Sequence, residues 1–390
     1  MTGQAEPRPF PGAAALADQA VARALVVRIA RRAGQLGRTI NLMEVCGTHT
    51  MAISRFGLRS LLPPNVRFVS GPGCPVCVTD QADIDLFLTL ARQPDVITTT
   101  FGDMIRVPGR ETTLAAEKAA GRDVRVVYSP LDALEVAKAH PDRLVIFYAV
   151  GFETTAPMVA AALELALAQG LDNFTIYPVH KTVPPALAAL LAAPGVRLDG
   201  FLLPGHVSTV IGAGAYAPVV EEFHLPAVVA GFEGNDILLA VEMLLAQLAS
   251  GEARVEIEYR RVVSWEGNRT AQAILDRFFA PADAQWRGIG IIPGSGLALR
   301  PEYAHLDARS RFDTPALAKA LVPPPPKLAG CACGEVLQGR KLPPECVLFG
   351  RACTPGSPVG PCMVSSEGSC AAYYRYERRR SPVEGGTDRG

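Results

Sequence analysis

Short β-branched runs alternate with alanine-rich stretches along most of this chain, and that alternation is the pattern of a parallel α/β sheet. Strands are expected at 40–45, 66–70, 96–100, 124–128, 144–150, 174–178, 200–203 and 227–230. Helices are expected at 14–33, 84–92, 113–120, 131–139, 157–168, 185–191 and 236–248. The strands fall into two sets of four that resemble a duplication. In each set, similar short stretches follow the strands in the same order: Cys46-Gly47-Thr48 against Gly151-Phe152-Glu153, Gly73-Cys74 against Gly205-His206, and Phe101-Gly102 against Phe232-Glu233. The expected fold class is therefore α/β, with two similar parallel-sheet lobes facing a cleft and a small, irregular cysteine-rich C-terminal domain. The expected boundaries are 1–140 for the first lobe, 141–255 for the second and 256–390 for the C-terminal region. A four-proline run at 323–326 inside that region reads as a stiff, extended linker.

Apolar residues make up 49% of the 390 and charged residues 19%, which suits packed cores rather than a disordered chain. Lys+Arg and Asp+Glu both number 38, so no excess charge asks for nucleic acid or an anionic membrane. No apolar run reaches the roughly 18 residues that span a bilayer. The N-terminus carries Glu6 and Asp18 and lacks the apolar core of a signal peptide, so a cytoplasmic location is expected.

Nine cysteines in such a protein point to metal or redox chemistry. Their placement is lopsided. Cys46, Cys74 and Cys77 lie early, and Cys331, Cys333, Cys346, Cys353, Cys362 and Cys370 crowd the tail. Two separate sulfur sites are the simplest reading.

Cys74 and Cys77 form a Cys-x-x-Cys between an expected strand and an expected helix. That spacing serves a redox dithiol, half of a metal site, or two inert buried thiols; a zinc ribbon needs a second matching pair, and none follows. Cys46 stands in a polar post-strand turn, with His49 three residues on to tune or co-ligate a thiolate. Asp103 and Arg106 follow the third strand, where Asp103 serves either a site or a helix cap. Ligands bind at the carboxyl ends of strands in open α/β sheets, so Cys46, Cys74 and Asp103 are expected at one edge of the first sheet. Thr154, Thr155 and His206 face the same choice between an anion or partner site and local structure. In the tail, six thiols among glycines and prolines suit a [4Fe–4S] cluster, with zinc as the competitor.

Five stretches in order, 44–53 (EVCGTHTMAI), 71–77 (GPGCPVC), 101–109 (FGDMIRVPG), 151–157 (GFETTAP) and 363–374 (MVSSEGSCAAYY), together resemble the HypD family of [NiFe] hydrogenase maturation factors. The resemblance implies a scaffold on which an iron ion acquires two cyanides and one carbon monoxide. It implies a complex with a small HypC-type chaperone, cyanide from a HypE-type donor with a HypF-type carbamoyltransferase upstream, and delivery to the hydrogenase large subunit. Carried over by motif, Cys46 binds the iron, Cys74 and Cys77 are a dithiol/disulfide pair, and His49 and Asp103 stand around them. Cys333, Cys346, Cys353 and Cys370 fit the cluster ligands; Cys331 competes with Cys333, and Cys362 is an extra. Two alternatives stay open: a cluster-dependent disulfide reductase, which gives Cys46 no task, and a zinc-stabilised binding module.

Overall fold

A computed structural model describes residues 18–320 and 330–377. The proline run at 323–326 and the arginines at 378–380 lie outside the described residues. All eight expected strands form: β1 (Ile40–Glu44), β2 (Val66–Ser70), β3 (Val96–Thr100), β4 (Val124–Val126), β5 (Leu144–Ala149), β6 (Phe174–Pro178), β7 (Gly200–Pro204) and β8 (Ala227–Ala230). Three more follow: β9 (Val255–Ile257), β10 (Phe279–Trp286) and β11 (Gly290–Leu299).

The pairing makes two parallel sheets, ordered β2-β1-β7-β8-β9 and β4-β3-β5-β6, and one antiparallel hairpin, β10-β11. The α/β class with two similar lobes holds. The division at residue 140 does not, because β1 and β2 pair with β7 and not with β3. The second sheet is an insertion between β2 and β7 of the first. Parallel neighbours are joined by long crossovers, so sequence adjacency does not dictate which strands touch. The proposed matching of strands changes with it. By position in the sheets, β1 corresponds to β3 and β7 to β5, rather than β1 to β5.

Both sheets have a topological switch point, where successive connections leave in opposite directions and a crevice opens outside the strand ends. It lies between β1 and β7 in the first sheet and between β3 and β5 in the second. Cys46 follows β1, His206 follows β7, Asp103 follows β3 and Glu153 follows β5. Asp103 therefore belongs to the second sheet, and does not share an edge with Cys46 and Cys74.

Among the described residues, one apolar core joins both sheets, the hairpin and the tail. It runs from Met43 and Val45 through Cys77, Phe87, Tyr148, Phe152 and Tyr216 to Trp286 and the tail residues Cys333, Met363 and Val364. Burying a side chain of this size stabilises the fold by about 1.5–3 kcal/mol. Two further cores lie on the outer faces, under the helices Gln19–Leu36 and Gly234–Ser250 in one case and Ala156–Ala168 in the other. The tail is thus part of the body. Among the described residues, no helix is long and apolar enough to cross a membrane.

Candidate functional site

The chain leaves β1 through Val45, whose N–H bonds the Leu202 carbonyl at 3.2 Å. Cys46 then stands in extended conformation as the N-terminal cap of helix Gly47–Phe56, where the sequence suggested a plain turn. Its thiol is free and buried. Burial, then the charge of Glu367, push it up to about 12, against the pull of the Thr48 and His49 backbone N–H groups and the Thr48 hydroxyl. Desolvation outweighs the helix N-terminus here, so the free thiol keeps its proton.

Beneath it lies Glu44, wholly buried, which accepts from the Thr50 hydroxyl at 2.6 Å and from Cys46 N–H at 3.3 Å. Burial pushes its carboxyl up to about 7 despite those donors. His49 is also wholly buried. Its Nε2 donates to the carbonyls of Gly231 (2.9 Å) and Ala230 (3.2 Å), which fixes the tautomer and leaves Nδ1 as a bare lone pair without a partner. Burial pulls its pKa down to about 4. Phe232 lies between the rings of His49 (4.8 Å) and the exposed His206 (4.0 Å).

Beside Cys46, the chain leaves β2 into the one-turn helix Pro75–Val78, capped by Cys74. Cys74 and Cys77 form a disulfide with their Cα atoms 5.2 Å apart. Both are buried. Gly73 lies directly on the backbone of Cys46: a Cβ there would stand 2.6 Å from Cys46 Cα, and Gly47 N–H bonds Gly73 O at 3.0 Å. Only glycine permits that approach.

The tail closes over this pair. Asp103 Oδ2 accepts from Ser365 Oγ (3.0 Å), Ser366 N–H (3.1 Å) and Ser366 Oγ (3.1 Å). Its carboxylate is spent on the tail, and Arg106 nearby is exposed. Glu367 accepts from the Thr48 hydroxyl at 2.9 Å and sits so close that a Cβ on Gly47 would meet its carbonyl oxygen at 2.6 Å. Helix Pro361–Val364 packs on the Cys74–Cys77 helix, and helix Ser369–Tyr376 on Gly47–Phe56. Arg59 stacks over Tyr373 (4.6 Å) and pairs with Glu377 (3.1 Å) to hold the latter.

Within the tail, Cys331, Cys333, Cys346, Cys353 and Cys370 line one pocket with Leu348, Phe349 and Met363. Gly360 forms part of the wall, where a Cβ would stand 2.8 Å from Cys333 Sγ and 3.1 Å from Cys331 Sγ. Hydrogen bonds from Cys331, Cys362 and Cys370 hold the Cys333 thiol well below its ordinary range. Cys362 is buried but lies outside the pocket wall.

The model of the HypD family, described as "Hydrogenase formation hypA family", matches residues 20–377. The chain belongs to the HypD family. It is 47% identical over 370 residues to the hydrogenase maturation factor HypD of Rhodobacter capsulatus, covering 93% of this chain and 97% of that one. It is 48% identical over 355 residues to that of Rhizobium leguminosarum bv. viciae (89% and 90%). For the factor of Escherichia coli K12 the figures are 47% over 362 residues (92% and 95%).

Within this HypD-family chain, some site residues drew no role from sequence alone. Glu44 and Glu367 lie inside the motif stretches 44–53 and 363–374 without a role of their own there. Gly73 carried no sign that it touches Cys46. Glu153 is buried with Oε1 accepting from Val183 N–H at 2.8 Å and Oε2 unpartnered, and burial pushes it up to about 7. Helix Ala156–Ala168 begins after Thr155, whose hydroxyl bonds the Phe152 carbonyl at 3.2 Å instead of capping the helix.

Proposed function

We propose that this protein acts in hydrogenase maturation as the scaffold on which the Fe(CN)2CO unit is assembled. The observation that carries the reading is the close packing of the Cys46 backbone on Gly73, the residue before the Cys74–Cys77 disulfide, at a sheet switch point under a roof made by the cysteine-rich tail. Iron is the cargo. A thiolate at Cys46 is a soft, electron-rich ligand suited to low-spin iron(II) with cyanide and carbon monoxide. Metal binding displaces the thiol proton, which the buried free cysteine otherwise holds. A small HypC-type chaperone supplies the opposing cysteine, a HypE-type donor with HypF-type activity upstream brings cyanide, and the finished unit passes to the hydrogenase large subunit.

On reduction to the dithiol, the Cys74–Cys77 pair would hold two electrons and two protons beside the iron site. His49 contributes a neutral imidazole fixed by two carbonyls, and Asp103 holds the roof closed. The pocket, lined by five thiols and apolar side chains with a glycine where a Cβ would intrude, suits a [4Fe–4S] cluster held by Cys333, Cys346, Cys353 and Cys370. Cys331 lines the same pocket and remains an alternative to Cys333. A bound cluster would supply single electrons.

A disulfide reductase uses the same pair and pocket but leaves Cys46 idle. Complementation of a strain lacking its own factor separates the two readings. Cys46→Ala abolishes hydrogenase maturation if the protein is the scaffold, and full maturation by that variant would favour the reductase.

A further inference from the structure

The turn between β10 and β11 touches the segments that carry both sets of cysteines. On one side, Arg287 N–H donates to the Val78 carbonyl at 2.9 Å, its Nε donates to the Thr79 carbonyl at 2.9 Å, and its Nη1 donates to Gln81 Oε1 at 2.9 Å. Those acceptors end the one-turn helix that contains Cys77 and open the next. Thr79 also forms a bridge with Trp286. On the other side, Gln338 Nε2 donates to the Gly288 carbonyl at 2.6 Å. Gly288, with φ 73°, lies face to face with Gly334, the neighbour of Cys333: a Cβ on Gly334 would stand 2.9 Å from Gly288 Cα. The turn is anchored in the core by Trp286, which is wholly buried, stacks on Phe152 (6.1 Å) and donates to Ser295 Oγ at 2.7 Å.

We propose that residues 286–289 form a strut between the two sulfur centres, with Arg287 as the positioning residue for the Cys74–Cys77 pair and Gly288 as the seat on the cysteine tail. The proposal rests on the redox role given to that pair above. A four-residue helix has too few internal hydrogen bonds to hold itself. At its C-terminal end the Val78 carbonyl is held by the Arg287 backbone N–H, and the Thr79 carbonyl and the Gln81 side chain by the planar guanidinium, which makes directional bonds that an ammonium cannot reproduce. Holding that end keeps Cys77 facing Cys74, and so raises the effective concentration of one thiol for the other. Loosening the strut disfavours ring closure and makes the disulfide easier to reduce.

The test is a thiol–disulfide equilibrium on the anaerobic full-length chain in buffers of reduced and oxidised dithiothreitol. Reduction of the protein disulfide takes two electrons and two protons from the reagent, which closes into its own cyclic disulfide. After an acid quench and alkylation, peptides carrying Cys74 and Cys77 are read by mass spectrometry, and circular dichroism checks the fold. Arg287→Ala is expected to shift the exchange constant about tenfold toward the dithiol, equivalent to about 30 mV. Gln338→Ala, which touches neither cysteine nor their helix, is expected to shift it the same way, and the double variant by less than the product of the two. A wild-type constant in Arg287→Ala overturns the proposal. So does a shift in Arg287→Ala with none in Gln338→Ala, because the effect would then be local. A wild-type pair that does not exchange at all contradicts the redox reading itself, and the strut with it.

Discussion

Replacing Asp103 with alanine should release the roof without unfolding the body. Three donors from Ser365 and Ser366 converge on one carboxylate oxygen, and no other described contact ties that loop to β3 as directly. A hydrogen bond to a charged group is worth about 1.5–3 kcal/mol. The three share one oxygen on a half-exposed residue, so their joint worth is about 2 kcal/mol rather than their sum. At 1.4 kcal/mol per tenfold, the open population of the tail rises about thirtyfold. Hydrogen–deuterium exchange with mass spectrometry reads this on peptides covering 361–376, with peptides from β3 and β5 as the internal control. Asp103→Ala should speed exchange in the former and leave the latter near wild type. Ser366→Ala alone should give a smaller effect, and adding it to Asp103→Ala should do little more. Unchanged tail exchange, or equal acceleration throughout the chain, would refute the assignment of Asp103 as the tie.

Three further outcomes are expected. Cys74→Ser should leave the tail's iron and sulfide content intact yet stop hydrogenase maturation, and a variant that matures the enzyme normally would remove the dithiol from the account. Cys333→Ser should lose most of the iron and sulfide of anaerobically purified protein, whereas Cys362→Ser, outside the pocket wall, should retain it; equal loss in both would contradict the ligand set. Glu153 has a folded value of about 7 against an ordinary 4.5, so the stability it contributes is present below pH 4.5 and lost as pH rises to 7, by at most about 1.4 kcal/mol per pH unit. His180, buried with both ring nitrogens unpartnered and pulled down to about 3, acts oppositely, its contribution being lost as pH falls below 6.5. Glu153→Gln should therefore make the slope of thermal stability against pH between 5 and 7 more positive than in wild type, and parallel profiles would count against the shift.

The eight strands β1 to β8 were legible because runs such as Val96-Ile97-Thr98-Thr99-Thr100 are β-branched and fully buried, and nothing else suits them. Their pairing was not, since the second sheet interrupts the first and local patterns carry no record of the interruption. The hairpin was missed for a different reason. β10 and β11 contain Pro281, Asp283, Pro293 and three glycines, poor strand formers held by Trp286, Ser295 and the pairing itself. At the site, the cysteines and the order of the motifs singled out Cys46, Cys74 and Cys77, which the fold brings close together. That Asp103 and Cys46 sit on different sheets, and that the tail joins them through Ser365, Ser366 and Glu367, depends on contacts between residues more than 250 apart in sequence.

In the proposed scaffold, Cys46 holds the iron during assembly. The test is an infrared spectrum of the protein, purified anaerobically with the proposed HypC-type chaperone from cells making the full maturation set. Cyanide and carbon monoxide stretches in the wild type that vanish in Cys46→Ala are the predicted result. The same bands in Cys46→Ala, or none in wild-type protein that retains iron and sulfide, would contradict it.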